Sequence, residues 1–444
     1  MRHSRWVTMT ALIGVLALVG AACSKNKTAS SGGPSTDCTA APGCVTVKTG
    51  DPIEIGTLLA ISGGAAFLGT DSAHGVALAL DYLDGTFDGK PGQVLGHDIK
   101  LVNEDDGCSA EGGQKGAAPL AADPQMFAVI GTTCSGAALG VADKTFSAKG
   151  IILLSPSNTG PGLTAEGTHQ PYYFRTAHND LIQGAVVSDF VLQKLQGKTA
   201  ATIHDESPYA QGLTDVFQNN FTAAGGTMTD TEAITSTDTD FKALLTKIAT
   251  GKPNVLYYPD FNPACGYIAK QGAAISGLST TAFVGSDGCA DPTYLTVGGS
   301  ATTGSYTSGP DLTAIAQGTF YSSQYLPEYK KQFPPGPTAD FNAHAYDAVN
   351  ILVNAIKAAA VQNSDGSLTI SRSAVKDALE ATNGYQGLTG TITCTPLGDC
   401  ATSVTIAVYK VPDAPWNPKA KESQPVFSET KTLAEVSGGA SSSP

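Results

Sequence analysis

FAVIGTTCSGAALGVADKTFSAKGIILLSPSNT, residues 127–159, carries the clearest fold signal in the chain. Its apolar run 127–130 stops at Gly131-Thr132-Thr133, an alanine-rich helical stretch opens near Ser135, and Gly150 suits that helix's C-terminus. A second short apolar run, 151–154, is closed by Ser155-Pro156, as expected of a strand buried in a parallel sheet. The pattern is strand, loop, helix, strand, loop. Both strands therefore end in small hydroxyl residues on one rim: Thr132, Thr133 and Ser135 after the first, Ser155, Ser157 and Thr159 after the second. Ligands bind at that rim in open α/β sheets. Ser135, at the expected start of the helix, would set a hydroxyl beside unpaired first-turn amides, a seat for one small anion such as a carboxylate. The competing reading makes Ser135 an ordinary N-cap and the others ordinary turn residues.

The same alternation extends in both directions. Upstream, a strand at 53–60 with EIGTLL at its heart leads to a helix at 69–83 that aligns Val76, Leu80 and Leu83. A strand at 99–103 follows, ending in Glu104-Asp105-Asp106-Gly107-Cys108, and then a helix at 113–122. This is the order of a parallel doubly wound sheet. Downstream, strands at 199–204, 227–234, 254–258 and 282–285 alternate with helices at 209–224, 241–250 and 265–274, and the last strand ends in Ser286-Asp287-Gly288. Beyond them the sequence predicts a crossing segment at 306–310, helices at 341–360 and 372–381, and a hairpin of 390–394 with 404–410 about Pro396-Leu397-Gly398-Asp399. Two α/β units in tandem are visible in the order of elements.

At the start, Arg2, His3 and Arg5 precede an apolar run at 11–19 and then Gly20-Ala21-Ala22-Cys23. A charged region, a short apolar core and small residues describe an export signal over 1–22, too short for a comfortable membrane span. The cysteine after the small residues resembles a bacterial lipobox, with glycine at position 20 where an aliphatic residue is more usual. Cys23 would then be the lipidated first residue, anchoring the chain to the outer face of the membrane; an ordinary signal peptidase site is the alternative. Residues 23–50 read as a flexible tether and 414–444 as a C-terminal tail.

The span between them suits two domains rather than one core. A 41% hydrophobic share with 15% charged residues is globular, and a net charge of -13 argues against a nucleic-acid partner, because phosphate binding needs a basic face. With Cys23 set aside, eight of the nine cysteines remain. Many connectivities are open to them; nearest-neighbour pairing gives Cys38–Cys44, Cys108–Cys134, Cys265–Cys289 and Cys394–Cys400. No C-x-x-C pair or histidine cluster points to a metal, and no cofactor motif is present. Neither G-x-S-x-G nor H-E-x-x-H occurs, so no catalytic residue is assigned.

The order of motifs resembles that of the branched-chain-amino-acid-type substrate-binding proteins of ABC transporters, which have the type I bilobed periplasmic fold. The marks are SGGAAFLG, DDGCS with the later TTCSG, GIILLSPSNT, IHDESPYAQGL, NVLYYPDF and FVGSDGC, in that order, and the likeness covers most of 52–411. It implies two doubly wound α/β lobes joined by a three-segment hinge: 51–176 with 308–388, and 177–307 with 389–413. The family's first-lobe disulfide maps to Cys108 and Cys134. Its carboxylate-binding positions fall on Ser135, Ser157 and Thr159, and its ammonium-binding group falls on Asp287. Tyr209 matches an aromatic wall position, Phe261 stands where a tyrosine is common, and Leu68 where an aromatic is common. The resemblance implies capture of a small amino acid for a membrane ABC permease, through lobes that close on the ligand by a hinge motion. A sensor, or a binder of small amides or aromatic acids, is the alternative on the same fold.

Overall fold

The computed structural model describes residues 38–411 and 424–437. The expected signal segment 1–22 and Cys23 lie outside the described residues. Two sheets organise the rest. The first has five parallel strands in the order Ile99–Asp105, Ile53–Leu59, Ala128–Gly131, Ile152–Ser155, Tyr173–Arg175. All four residues of Ala128–Gly131 and of Ile152–Ser155 are buried, which is why these segments read as unbroken apolar runs. Successive side chains point to opposite faces. Ile130, Ile152 and Leu154 pack in a core with residues of helices Ala66–Asp81 and Asn342–Ala359, while Val129 and Leu153 meet Leu120 and Phe146 on the other face. Each such Ile or Leu contributes about 1.5–3 kcal/mol when fully buried. The two helices of the first face pack so closely that a Cβ on Gly75 would stand 2.1 Å from the Asn342 carbonyl oxygen, so glycine is required there.

The second sheet has seven strands in the order Phe427–Thr432, Ser403–Lys410, Tyr306–Pro310, Ala282–Gly285, Val255–Tyr258, Thr199–His204, Thr227–Ala233. The last five are parallel, and Ser403–Lys410 runs against both its neighbours. The chain passes between the sheets three times: from Arg175 into helix Asp180–Asp189, from Pro310 toward helix Asn342–Ala359, and again before Ser403.

Several sequence expectations need correction. Residues 404–410 do not pair with 390–394; Gly390–Ile392 pairs with Tyr385–Gly387, and Ser403–Lys410 is inserted in the second sheet. The turn signal at 396–399 is real, but the disulfide Cys394–Cys400 closes it locally and leaves the next strand free to pair elsewhere. Ile392, Cys394 and Cys400 belong to the first sheet's core, so the segment expected to begin the second lobe at 389 starts on the first. The expected boundary at 308 falls inside strand Tyr306–Pro310. Part of the presumed tail is Phe427–Thr432, an edge strand of the second sheet, and part of the expected tether is Cys44–Val47, a strand paired with Leu368–Ser371 whose Val45 and Val47 are buried in the first sheet's core.

The described residues hold four disulfides, Cys38–Cys44, Cys108–Cys134, Cys265–Cys289 and Cys394–Cys400. The second and third close spans of 26 and 24 residues, next to the loops at the strand ends. Cross-links over such spans stabilise by about 2–4 kcal/mol.

Candidate functional site

The expected helix from Ser135 to Gly150 is broken. A turn at Ser135–Ala137 is followed by Leu139 with ψ 112° and Gly140 with φ 73°, and regular helix resumes only at Asp143–Ser147. Glycines at 136 and 140 in a run of small residues give the chain this freedom. A three-residue turn does not supply the helix end on which the anion seat was argued. The Ser135 hydroxyl instead accepts a hydrogen bond from Gly160 N at 3.0 Å, which leaves its own proton to donate.

Around it the two strand-end loops are knitted together. Ser157 Oγ donates to Thr133 O at 2.9 Å, Ser155 Oγ to Thr132 O at 2.7 Å, and Asn158 Nδ2 to Thr132 O at 2.9 Å. Arg175, fully buried at the end of its strand, donates to the carbonyls of Asn158 and Gly160 at 3.2 and 2.9 Å while its Nε pairs with Asp399 at 2.6 Å. Beneath them Asp106 accepts from Thr133 N at 2.6 Å and Cys108 N at 2.7 Å, and burial pushes its carboxyl up to about 7.

The second sheet's rim carries carboxyl groups. Asp287 follows strand Ala282–Gly285, is buried, and its Oδ1 accepts from Gln183 Nε2 at 2.8 Å. The Tyr209 hydroxyl, from the first turn of helix Pro208–Ala223, reaches the same oxygen at 3.0 Å and Ser286 Oγ at 2.7 Å. Gln183 also donates to Ser308 Oγ at 3.1 Å, and its Oε1 meets His178 Nε2. The Tyr209 and Phe261 rings stand 5.1 Å apart. Phe261 packs on a cluster that includes Leu68, Ala65, Cys134, Ala177 and Phe341, so Leu68 and Phe261 belong to one apolar group.

Asp180 is the residue that sequence reasoning missed. It opens helix Asp180–Asp189, whose N-cap Asn179 accepts from Leu181 N at 3.0 Å, and its own amide donates to Thr159 O at 3.0 Å. The Thr159 hydroxyl is turned toward its carboxyl, yet neither carboxyl oxygen has a hydrogen bond of full geometry. Burial, then the nearby Asp287, holds this carboxyl well above the usual carboxylate range. Asp180 and Gln183 stand three apart and so share a helix face. That polar pair, at the head of the apolar run in NDLIQGAVV, was the signal available.

The rims touch on both flanks. A Cβ on Gly64 would lie 2.9 Å from the Asn262 carbonyl oxygen, and one on Gly160 would lie 3.5 Å from that of Pro208. Between them a cavity of about 560 Å³ is lined by Tyr209 and Phe261 on one side and by Cys134 and Gly136, the neighbours of Ser135, on the other. Ser135, Ser157, Thr159, Leu68 and Asp287 are buried beside or below this space and do not line it.

With that geometry in hand, residues 52–414 match the family model described as periplasmic binding protein. The chain belongs to this family. A Leu/Ile/Val-binding protein of Rhizobium johnstonii is 28% identical over 360 residues, 81% of this chain and 91% of that one. Among solved structures, an isoleucine complex of a branched-chain amino acid transporter substrate-binding protein from Streptococcus pneumoniae has TM-score 0.69 at 24% identity, covering 86% of this chain and 99% of that one. A solute-binding protein of an ABC transporter from R. palustris, in complex with benzoate, also has TM-score 0.69, at 19% identity over 86% and 97% of the two chains. At those identities the structures establish the fold alone. It is the type I periplasmic binding fold.

Proposed function

We propose that this substrate-binding protein captures a small α-amino acid outside the cytoplasm and presents it to an ABC permease. The two sheets act as lobes, the three connecting segments as the hinge, and the crevice between the rims as the binding site. Asp287, with Asp180 and Tyr209, takes the ligand's ammonium. Ser135, whose proton is free to donate, and Thr159 take its carboxylate, and Ser157 holds the rim from behind. Leu68 and Phe261 cover the side chain. Opposite ends of one zwitterion then meet different lobes, so binding favours the closed arrangement.

The observation that carries this reading is the pairing of two buried carboxyls with Tyr209 on one rim, opposite neutral hydroxyls and main-chain groups on the other. Such an arrangement suits one positive and one negative end without an arginine at the ligand. The names of the sequence relatives agree with it. Calorimetry with the common amino acids, on wild type and Asp287→Asn, tests it: unchanged affinity in the variant would remove Asp287 from the site.

A second reading rests on the ring pair Tyr209 and Phe261, which suits an aromatic acid like the one held by the R. palustris protein. An aromatic acid has no ammonium, so its binding should survive Asp287→Asn. Neither reading assigns a catalytic residue. The anchor belongs to the proposal too: Cys23 carries the lipid, and among the described residues no helix is long and apolar enough to cross a membrane. Mass spectrometry of the mature N-terminus decides it, and Cys23→Ala should release the protein from the membrane fraction.

A further inference from the structure

Gln183 is fixed from both ends of its amide. It is fully buried in helix Asp180–Asp189, and its Nε2 donates to Asp287 Oδ1 at 2.8 Å and to Ser308 Oγ at 3.1 Å. Ser308 sends its own proton to Gly285 O at 3.4 Å, so its oxygen is the acceptor in the pair with Gln183. With both amide protons placed, Oε1 faces the other way and meets His178 Nε2. An amide oxygen can only accept, so Nε2 is the imidazole nitrogen that carries a proton. Burial pulls His178 down to about 4, which leaves the ring neutral and its Nδ1 bare, and Nδ1 has no hydrogen-bond partner. The hydrogen bonds therefore run in one direction, from His178 to Gln183 to Asp287.

His178 belongs to the first passage between the sheets, between strand Tyr173–Arg175 and helix Asp180–Asp189. Its ring lies against that of Phe341, at the end of the second passage, with centroids 6.3 Å apart and planes inclined by 18°. Thr176 Oγ1, just before it, donates to His344 O at 2.8 Å and ties the same two passages together. Ser308 stands on strand Tyr306–Pro310, where the second passage begins. The groups that orient Gln183 therefore come from the connecting segments, and the group it orients is the carboxyl on the second rim.

We infer that His178 and Gln183 are positioning residues for the ligand's ammonium: the imidazole on the first passage sets which way the Gln183 amide faces, and the amide sets Asp287 Oδ1. The inference rests on the reading of Asp287 as the ammonium-binding group. Without the imidazole proton, Oε1 would be buried and unpaired, and the amide would lose one of the contacts that keep it in its present sense. Turned over, it would set its oxygen against the Asp287 carboxyl. Two acceptors would then stand face to face unless Asp287 took a proton, and a protonated carboxyl is a poor partner for an ammonium.

Calorimetry on the full chain with the common amino acids as probes tests this. His178→Leu removes the imidazole proton, and His178→Gln can return a donor near the position of Nε2. For an amino acid that binds the wild type, His178→Leu should weaken affinity about tenfold, while His178→Gln should stay within about threefold. On an Asp287→Asn background the same His178→Leu change should cost less than about twofold, because the carboxyl it positions is gone. Binding weakened by Asp287→Asn but untouched by His178→Leu overturns the positioning role alone. Equal losses in His178→Leu and His178→Gln also overturn it, since packing would then account for both. Unchanged affinity in Asp287→Asn, or no amino acid bound, overturns the ammonium reading and the positioning role with it. If His178→Leu fails to fold, nitrogen NMR of the histidine-labelled wild type decides: a neutral His178 with its proton on Nε2 supports the relay, and one with its proton on Nδ1 ends it.

Discussion

The two rims that face each other across the crevice are built in opposite ways. On the first sheet, hydroxyls and main-chain groups bond mostly to one another: Ser157 to Thr133, Ser135 to Gly160, and Arg175 to the carbonyls of Asn158 and Gly160. On the second, side chains from separate elements converge on a single carboxylate, Asp287, from Gln183 and Tyr209. The two rims divide the labour. The first rim is a shape held by many small bonds, none of which needs a ligand, and the second is a buried carboxyl reached by side chains from separate elements, Gln183 and Tyr209 among them.

The comparison can be broken most sharply at Arg175. Replacing it with Met leaves Asp399, 5% exposed, without its partner and releases two loop carbonyls, so the variant should lose about 3–5 kcal/mol in denaturant unfolding. A loss below about 1 kcal/mol would show that the first rim does not depend on this clamp. Next comes Asp287→Asn, expected to weaken an amino-acid ligand about a hundredfold, close to 2.7 kcal/mol, with little change in melting temperature. The same variant should leave binding of an aromatic acid nearly intact.

A smaller effect is set by pH. In the folded protein Asp106 titrates at about 7, above its ordinary 3.8, so the fold favours its protonated form. Its contribution is complete below about 3.8 and is lost as pH rises through about 7. The stability gap between wild type and Asp106→Asn should therefore narrow as pH is raised across that window, which melts at a series of pH values would read. The smallest effect separates two serines: Ser157→Ala should cost about 1 kcal/mol of stability through the unmet Thr133 carbonyl and barely alter affinity. Ser135→Ala should weaken an amino acid by about tenfold at similar stability, and equal affinities for the two variants would erase the distinction.

The parallel strands were legible in the sequence because burial on both faces leaves unbroken apolar runs such as FAVI at 127–130 and IILL at 151–154. What lay outside local patterning was harder to read. Ser403–Lys410 has the composition of a hairpin arm, and only the contest between possible partners, won by Tyr306–Pro310 and Phe427–Thr432, fixes its place. The helix at 135–150 looked continuous because alanine favours helix, and the break at Leu139-Gly140 depends on backbone freedom that composition does not reveal. At the site, strand ends pointed to Ser135, Ser157, Thr159 and Asp287. They could not point to Asp180, which enters from a helix start on the first passage of the chain between the sheets.

The last described strand, Phe427–Thr432, closes the edge of the second sheet, and Leu433 and Val436 just after it rest on Ile182 and Val186. Those two belong to the same helix as Asp180 and Gln183. A fusion partner placed at the C-terminus would therefore pull on the floor of the crevice, whereas a dye attached along that strand would sit where it could report occupancy without touching the ligand.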